Sequence, residues 1–123
     1  MRKPVTKAEA INADEAEPCT PNLNLLMRFG QTETEQFAAV FKALGNPVRL
    51  KMIDLISQGR ICSCDIERYF DLTQPTISHH LKVLRDAGVV QAEARGVWVF
   101  YELNPSTLMA LEDLLRMTTR AKR

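Results

Sequence analysis

Three cysteines carry most of the reactive chemistry in this chain, and two of them are separated by one residue, in Cys62-Ser63-Cys64-Asp65. The third, Cys19, stands between two prolines, Pro18 and Pro21. In a reducing compartment three thiols do not make a disulfide framework, which leaves buried hydrophobes, reactive thiols or ligands for a soft metal. A thioredoxin-like redox pair needs Cys-x-x-Cys, so the spacing argues against that use. The two histidines, His79 and His80, are adjacent and do not share a helix face, which argues against a shared ion. A second group of side chains follows the thiols: Gln74, Thr76, Ser78, His79 and Lys82, whose short polar, amide and cationic groups pair with base edges or phosphates. Arg95, beside Gly96, is placed to enter a minor groove. The sequence has no nucleotide-binding glycine loop, no HExxH and no nucleophile with an arranged base, so it is not read as an enzyme.

The elements that must position these groups are legible from periodicity. Residues 1–24 combine Pro4, Pro18 and Pro21 with sparse apolar residues and read as a mobile arm that carries Cys19. Residues 25–123 read as the folded body. Phe37, Val40, Phe41 and Leu44 form one helical face, with Gly45 where a left-handed cap would sit. Asn46 and Pro47 restart a helix as N-cap and first-turn proline, with Leu50, Ile53, Leu55 and Ile56 as its apolar set and Gly59 as its stop. Ile66, Tyr69 and Phe70 give a short helical face after the thiols. Thr73 is an N-cap and Pro75 a first-turn proline for the next helix, which buries Ile77, Leu81 and Leu84.

Two short helices across a tight turn form a helix-turn-helix, whose second member reads the major groove. The residues Gln74, Thr76, Ser78, His79 and Lys82 lie off its apolar stripe. Val89–Glu93 and Val97–Tyr101 read as strands around Ala94-Arg95-Gly96, a hairpin wing with Arg95 at its tip. A final helix from about Ser106 carries Leu108, Leu111, Leu114 and Leu115, a strip left for a dimer interface. The fold class is therefore mainly α with a small β-hairpin: a homodimeric winged helix-turn-helix.

Composition bounds this reading without deciding it. With 123 residues and 46% hydrophobic content, the chain is one domain small enough for a second copy to help complete its core. Its net charge of +1 neither demands nor excludes nucleic acid, since a local basic face can hide in the average. No apolar run reaches the roughly 18–20 residues of a membrane span, and no signal-peptide pattern opens the chain, so a cytoplasmic protein without membrane contact is expected.

Three segments, "ALGNPVRLKMIDLI", "CSCDIERYFDLTQPTISHHLKVLRDAGVV" and "ARGVWVFYELNP", resemble the ArsR/SmtB family of winged-helix, metal-responsive bacterial repressors. The resemblance covers about Gln36 to Leu115. It implies a homodimer on an inverted repeat in double-stranded operator DNA, released by an inducer. In the arsenic and cadmium/lead branches a Cys-x-Cys-Asp motif begins the helix before the reading helix, here Cys62-Ser63-Cys64-Asp65. A helix N-terminus lowers a thiol's pKa, and thiolates select soft ions.

The arsenic repressors that keep all ligands on one helix have a third cysteine where this chain has Glu67. Some cadmium/lead relatives recruit an arm cysteine, which makes Cys19, Cys62 and Cys64 a three-sulfur site across the dimer. Such a site suits arsenite, As(III), or antimonite. Cadmium or lead, which usually add a fourth arm sulfur, come second, and a thiol-redox response is the other alternative. The zinc route needs histidine on the last helix, where only Glu112 and Asp113 stand. No organic cofactor is implied. Binding at Cys62 and Cys64 is expected to strain a helix packed against the reading helix and so misplace its base contacts.

Overall fold

The computed structural model describes residues 19–21 and 29–120. Its order is α1 (Gln31–Leu44), α2 (Pro47–Ile56), β1 (Ile61–Cys62), α3 (Ser63–Tyr69), α4 (Gln74–Asp86), β2 (Val90–Arg95), β3 (Trp98–Leu103) and α5 (Pro105–Thr119). The expected arm, residues 1–24, lies outside the described residues except for Cys19–Pro21, which is exposed. The expected mainly α, winged helix-turn-helix architecture is present. One feature was not anticipated: the hairpin is joined by β1 into an antiparallel sheet of order β1-β3-β2.

Local chemistry explains the helix boundaries. Asn46 Oδ1 accepts from the amides of Val48 and Arg49 at 2.9 and 3.2 Å, with Pro47 in the first turn of α2. Thr73 Oγ1 accepts from the Thr76 amide at 3.4 Å and starts α4. Asn104 does the same for α5, accepting from Ser106 at 3.2 Å, so this helix begins one residue earlier than its apolar pattern indicated. Each cap satisfies amides that a first helical turn leaves without partners. Gly45 is not a left-handed cap. Its φ is −78°, and a Cβ there would lie 3.2 Å from the Phe41 carbonyl oxygen, so close backbone approach is what this site requires.

The core joins α1 through Val40 and Ala43, α2 through Met52 and Ile56, α3 through Ile66, and α4 through Ile77, Leu81 and Leu84. Val89 and Val90 bring the sheet into the same cluster. The α4 stripe is as expected. On α2, however, Met52 is fully buried while Leu50 is 53% exposed, because apolar residues occur on both sides of this helix and periodicity alone does not choose between them. Tyr69 is also solvent-facing, at 71% exposure, which leaves Ile66 as the anchor of α3. Along α5, Leu108, Leu111 and Leu114 are half-buried and Leu115 is exposed.

Candidate thiol site and nucleic-acid interface

Residues 70–73 connect α3 to α4, and on α4 Gln74, Ser78, His79 and Lys82 are exposed while Ile77, Leu81 and Leu84 are buried. Thr76 is half-buried, and its hydroxyl shares a 2.8 Å hydrogen bond with the Thr73 hydroxyl. That contact ties Thr76 to the cap. Lys82 pairs with Asp86 at 2.7 Å, and the hydrogen bond from Lys82 holds the Asp86 carboxyl below its ordinary pKa. Both partners are exposed, and such pairs are weak enough for Lys82 to exchange Asp86 for a phosphate.

His79 and His80 divide as their adjacency requires. His79 is exposed, whereas His80 turns inward and its Nδ1 lies 3.1 Å from Arg49 Nη1. Arginine only donates, so Nδ1 accepts and the His80 ring is neutral. Burial pushes the His80 pKa below its ordinary value, with the charges of Arg49 and His79 acting in the same direction. Arg49 also donates from Nε to the Ala43 carbonyl at 2.5 Å and from Nη2 to the Lys42 carbonyl at 3.3 Å. One guanidinium therefore joins the end of α1 to the start of α2 and to the reading helix. Arg49 escaped the sequence reading because nothing in "NPVRL" indicates that its side chain folds back onto the preceding helix.

The wing turns through Gly96 and Val97, with Gly96 at φ 63°. A positive φ at the first central residue alone is the pattern of a type II′ hairpin. Arg95 is consequently not in the loop. It is the last residue of β2, paired with Trp98, and its Nε lies 3.1 Å from Glu93 Oε1. Glu93 Oε2 receives Arg60 at 2.8 Å, while the Arg60 guanidinium lies 4.9 Å from the centre of the Phe100 ring. The hydrogen bond from Arg95 and the charges of both arginines hold Glu93 below its ordinary pKa. Sequence patterning missed Arg60 and Glu93 because they meet only when β1 joins the hairpin.

The thiols lie at the junction of β1 and α3. Cys62 is buried, ends β1 and serves as the N-cap position of α3 with no side-chain capping bond; Cys64 is half-buried in the first turn. Their sulfurs are 2.8 Å apart, and both cysteines are free. The hydrogen bond from Cys64 lowers the Cys62 pKa, and the same bond raises that of Cys64. The pair thus releases its first proton readily and its second reluctantly. A thiolate beside a thiol has the donor chemistry for a soft electrophile or ion, but supplies two sulfurs. Cys19 is exposed, and among the described residues no group of three His, Cys, Asp or Glu side chains is placed to hold a metal ion. The single chain therefore brings together Cys62 and Cys64, not Cys19. Nor does α3 act mainly on the reading helix: it packs chiefly against β1 and β3.

Residues 46–92, from the α2 cap to the start of the wing, match the family described as bacterial regulatory protein, arsR family. The arsenical resistance operon repressor of Bacillus subtilis is 40% identical over 72 residues, which span 58% of this chain and 69% of that protein. The chain belongs to the ArsR family. A second relative, an uncharacterized HTH-type transcriptional regulator of Methanocaldococcus jannaschii, is 46% identical over 68 residues, 54% of this chain and 76% of that one. The fold is shared with the homodimeric winged helix-turn-helix DNA-binding domain Mb0332 of Mycobacterium bovis, a possible ArsR-family regulator. That match has a TM-score of 0.60 at 25% identity, over 79% of this chain and 94% of the other. This ArsR-family chain is a DNA-binding transcriptional regulator and not an enzyme. Among the described residues no helix is long and apolar enough to cross a membrane.

Proposed function

We propose that this regulator is a cytoplasmic repressor that binds operator DNA as a homodimer and leaves it when arsenite or antimonite binds its cysteine thiolates, derepressing a resistance operon. The observation that carries this reading is the Cys62–Cys64 sulfur pair, 2.8 Å apart at the junction of β1 and α3. The arsenical resistance repressors among its relatives support the same inducer. Cys62 and Cys64 supply two sulfur donors, and Cys19 of the second copy supplies the third that a trivalent, thiophilic centre takes. A dimer is supported by Phe41, Met109 and Leu115, which are 45%, 63% and 50% exposed on α1 and α5. Between these helices lies a groove of about 570 Å³ lined in part by Phe37, Val40 and Ala110. Gln74, Thr76, Ser78, His79 and Lys82 form the reading surface, and Arg95 reaches the flanking groove.

Release follows from linkage. If the inducer binds best to a geometry that fits DNA poorly, DNA must weaken inducer binding by the same factor. Fluorescence anisotropy of the reduced protein on its own upstream DNA, titrated with arsenite, tests this. Cys62→Ser is expected to keep DNA affinity within about two-fold, since no base contact is lost, while abolishing release. Cys19→Ser should raise the arsenite concentration needed. A Cys62→Ser protein that still leaves DNA normally would refute the thiol assignment, and release by peroxide but not arsenite would transfer the response to oxidation.

A further inference from the structure

The thiol site and the wing share one row of the sheet. Cys62 pairs with Phe100 across the β1–β3 ladder, and Phe100 pairs with Glu93 across the β3–β2 ladder. Directly opposed residues lie on the same face, so Cys62 and Glu93 flank Phe100 two strand spacings apart, roughly 10 Å. Arg60, two residues before Cys62, closes this row: it lies over Phe100 and bonds Glu93 Oε2, while Arg95 bonds Oε1 of the same carboxylate. The segment that carries Arg60 is lightly held. Gly59 before it has φ 140°, and β1 after it is two residues long.

We infer that Glu93 is a positioning residue that controls how freely Arg95 reaches DNA, and that Arg60 reports the state of the thiol site to it. With Arg60 in place, Glu93 divides its charge between two guanidiniums and Arg95 is loosely held. When Cys62 is drawn out of register, Arg60 leaves, Glu93 has Arg95 as its remaining partner, and the wing arginine is withheld from the phosphates. The wing is then an output of the sensor in its own right, consistent with α3 packing chiefly on β1 and β3. Glu102 lines a cleft beside this row together with Arg60, Glu93 and Phe100, and is not bonded to either arginine.

This inference rests on the DNA-binding reading above, and the test separates the two. DNA affinity and its salt dependence are measured without inducer for the native protein, Arg60→Gln, Glu93→Gln, Arg95→Ala, and the double variants Arg60→Gln/Glu93→Gln and Glu93→Gln/Arg95→Ala. Thermal melts confirm that each is folded. Arg60→Gln should weaken binding about two- to five-fold, the range an exposed ion pair commands. The relay predicts that Glu93→Gln tightens binding more in the Arg60→Gln background than in the native one, restores the salt slope by about one ion, and does nothing when Arg95 is alanine. Equal tightening in all three backgrounds would mean that Glu93 only repels DNA through its charge, and would overturn the relay. If the native protein fails to bind its upstream DNA, the repressor reading fails and the relay falls with it.

Discussion

Arg49→Met offers a direct test of how the reading helix is held. Methionine retains much of the aliphatic stem but removes donors to the Ala43 carbonyl at 2.5 Å, the His80 ring at 3.1 Å and the Lys42 carbonyl at 3.3 Å. The Lys42 carbonyl also accepts from Gly45, so its loss counts least. The other two are hydrogen bonds from a charged donor in a half-buried setting, each worth about 1.5–3 kcal/mol when isolated and less when they share one side chain. A net loss of about 2–3 kcal/mol is expected, because the Ala43 carbonyl and the His80 ring are left without this donor. For a domain of this size that lowers Tm by about 10–20 °C, measured at one fixed protein concentration, since self-association would make Tm depend on it. Arg49→Lys should recover little, since a single ammonium cannot reach three separately placed acceptors as the planar fork does. A Met variant that melts within about 2 °C of the native protein would refute the reasoning and make Arg49 an ordinary solvated side chain.

His80 predicts a pH dependence of stability. Its folded pKa lies below its unfolded one, so the unfolded chain binds more protons as pH falls; stability is full above about 6.5 and declines as pH drops toward the folded value. Thermal melts between pH 8 and pH 5 should show this decline, and His80→Gln should flatten it (both limits are about one to two units around the ordinary histidine value). The lowered Asp86 and Glu93 carboxyls act in a separate window, stabilising above the ordinary carboxylate pKa and losing that contribution as pH falls through their lower folded values. Gly88→Ala should destabilise the protein by about 1–2 kcal/mol, read by urea unfolding, because φ is +78° there. The added Cβ would lie 3.4 Å from Thr107 Oγ1, so the penalty is conformational rather than a severe clash.

The parts of this fold that were legible in the sequence are those decided within one turn of helix. Asn46-Pro47 and Thr73 with Pro75 declare helix starts through short-range bonds, and the Ile77/Leu81/Leu84 stripe declares the buried side of α4 because polar residues surround it. On α2 periodicity favours Leu50 and passes over Met52, since both lie among apolar neighbours and only contact with the other helices selects the buried one. Strand β1 has no local signature at two residues, and exists through its ladder with Tyr101 and Phe100 far along the chain. The thiol pair was legible as a motif. Its place in a sheet row with the wing was not, because that depends on the same long-range ladder.

The distribution of bonding around the thiols bears on which parts can move. Helix α4 has a side-chain cap, three buried anchors and a guanidinium bridge from α2. Helix α3 has seven residues, one fully buried anchor in Ile66 and no side-chain bond at its N-cap, which is Cys62 itself. A helix this short is not stable alone, so its position depends on its attachments. A ligand that takes both sulfurs acts on that weakly capped end, where the first turn and β1 can be reset without breaking the bonds that hold α4. Under the proposed thiol response, the expected change is therefore a shift of α3, β1 and the wing around a retained α4, rather than distortion of α4 itself. On the proposed reading, loss of operator affinity would arise from a changed relation between the wing and α4, which would misalign two contacts that a repressor of this fold makes together on one DNA surface.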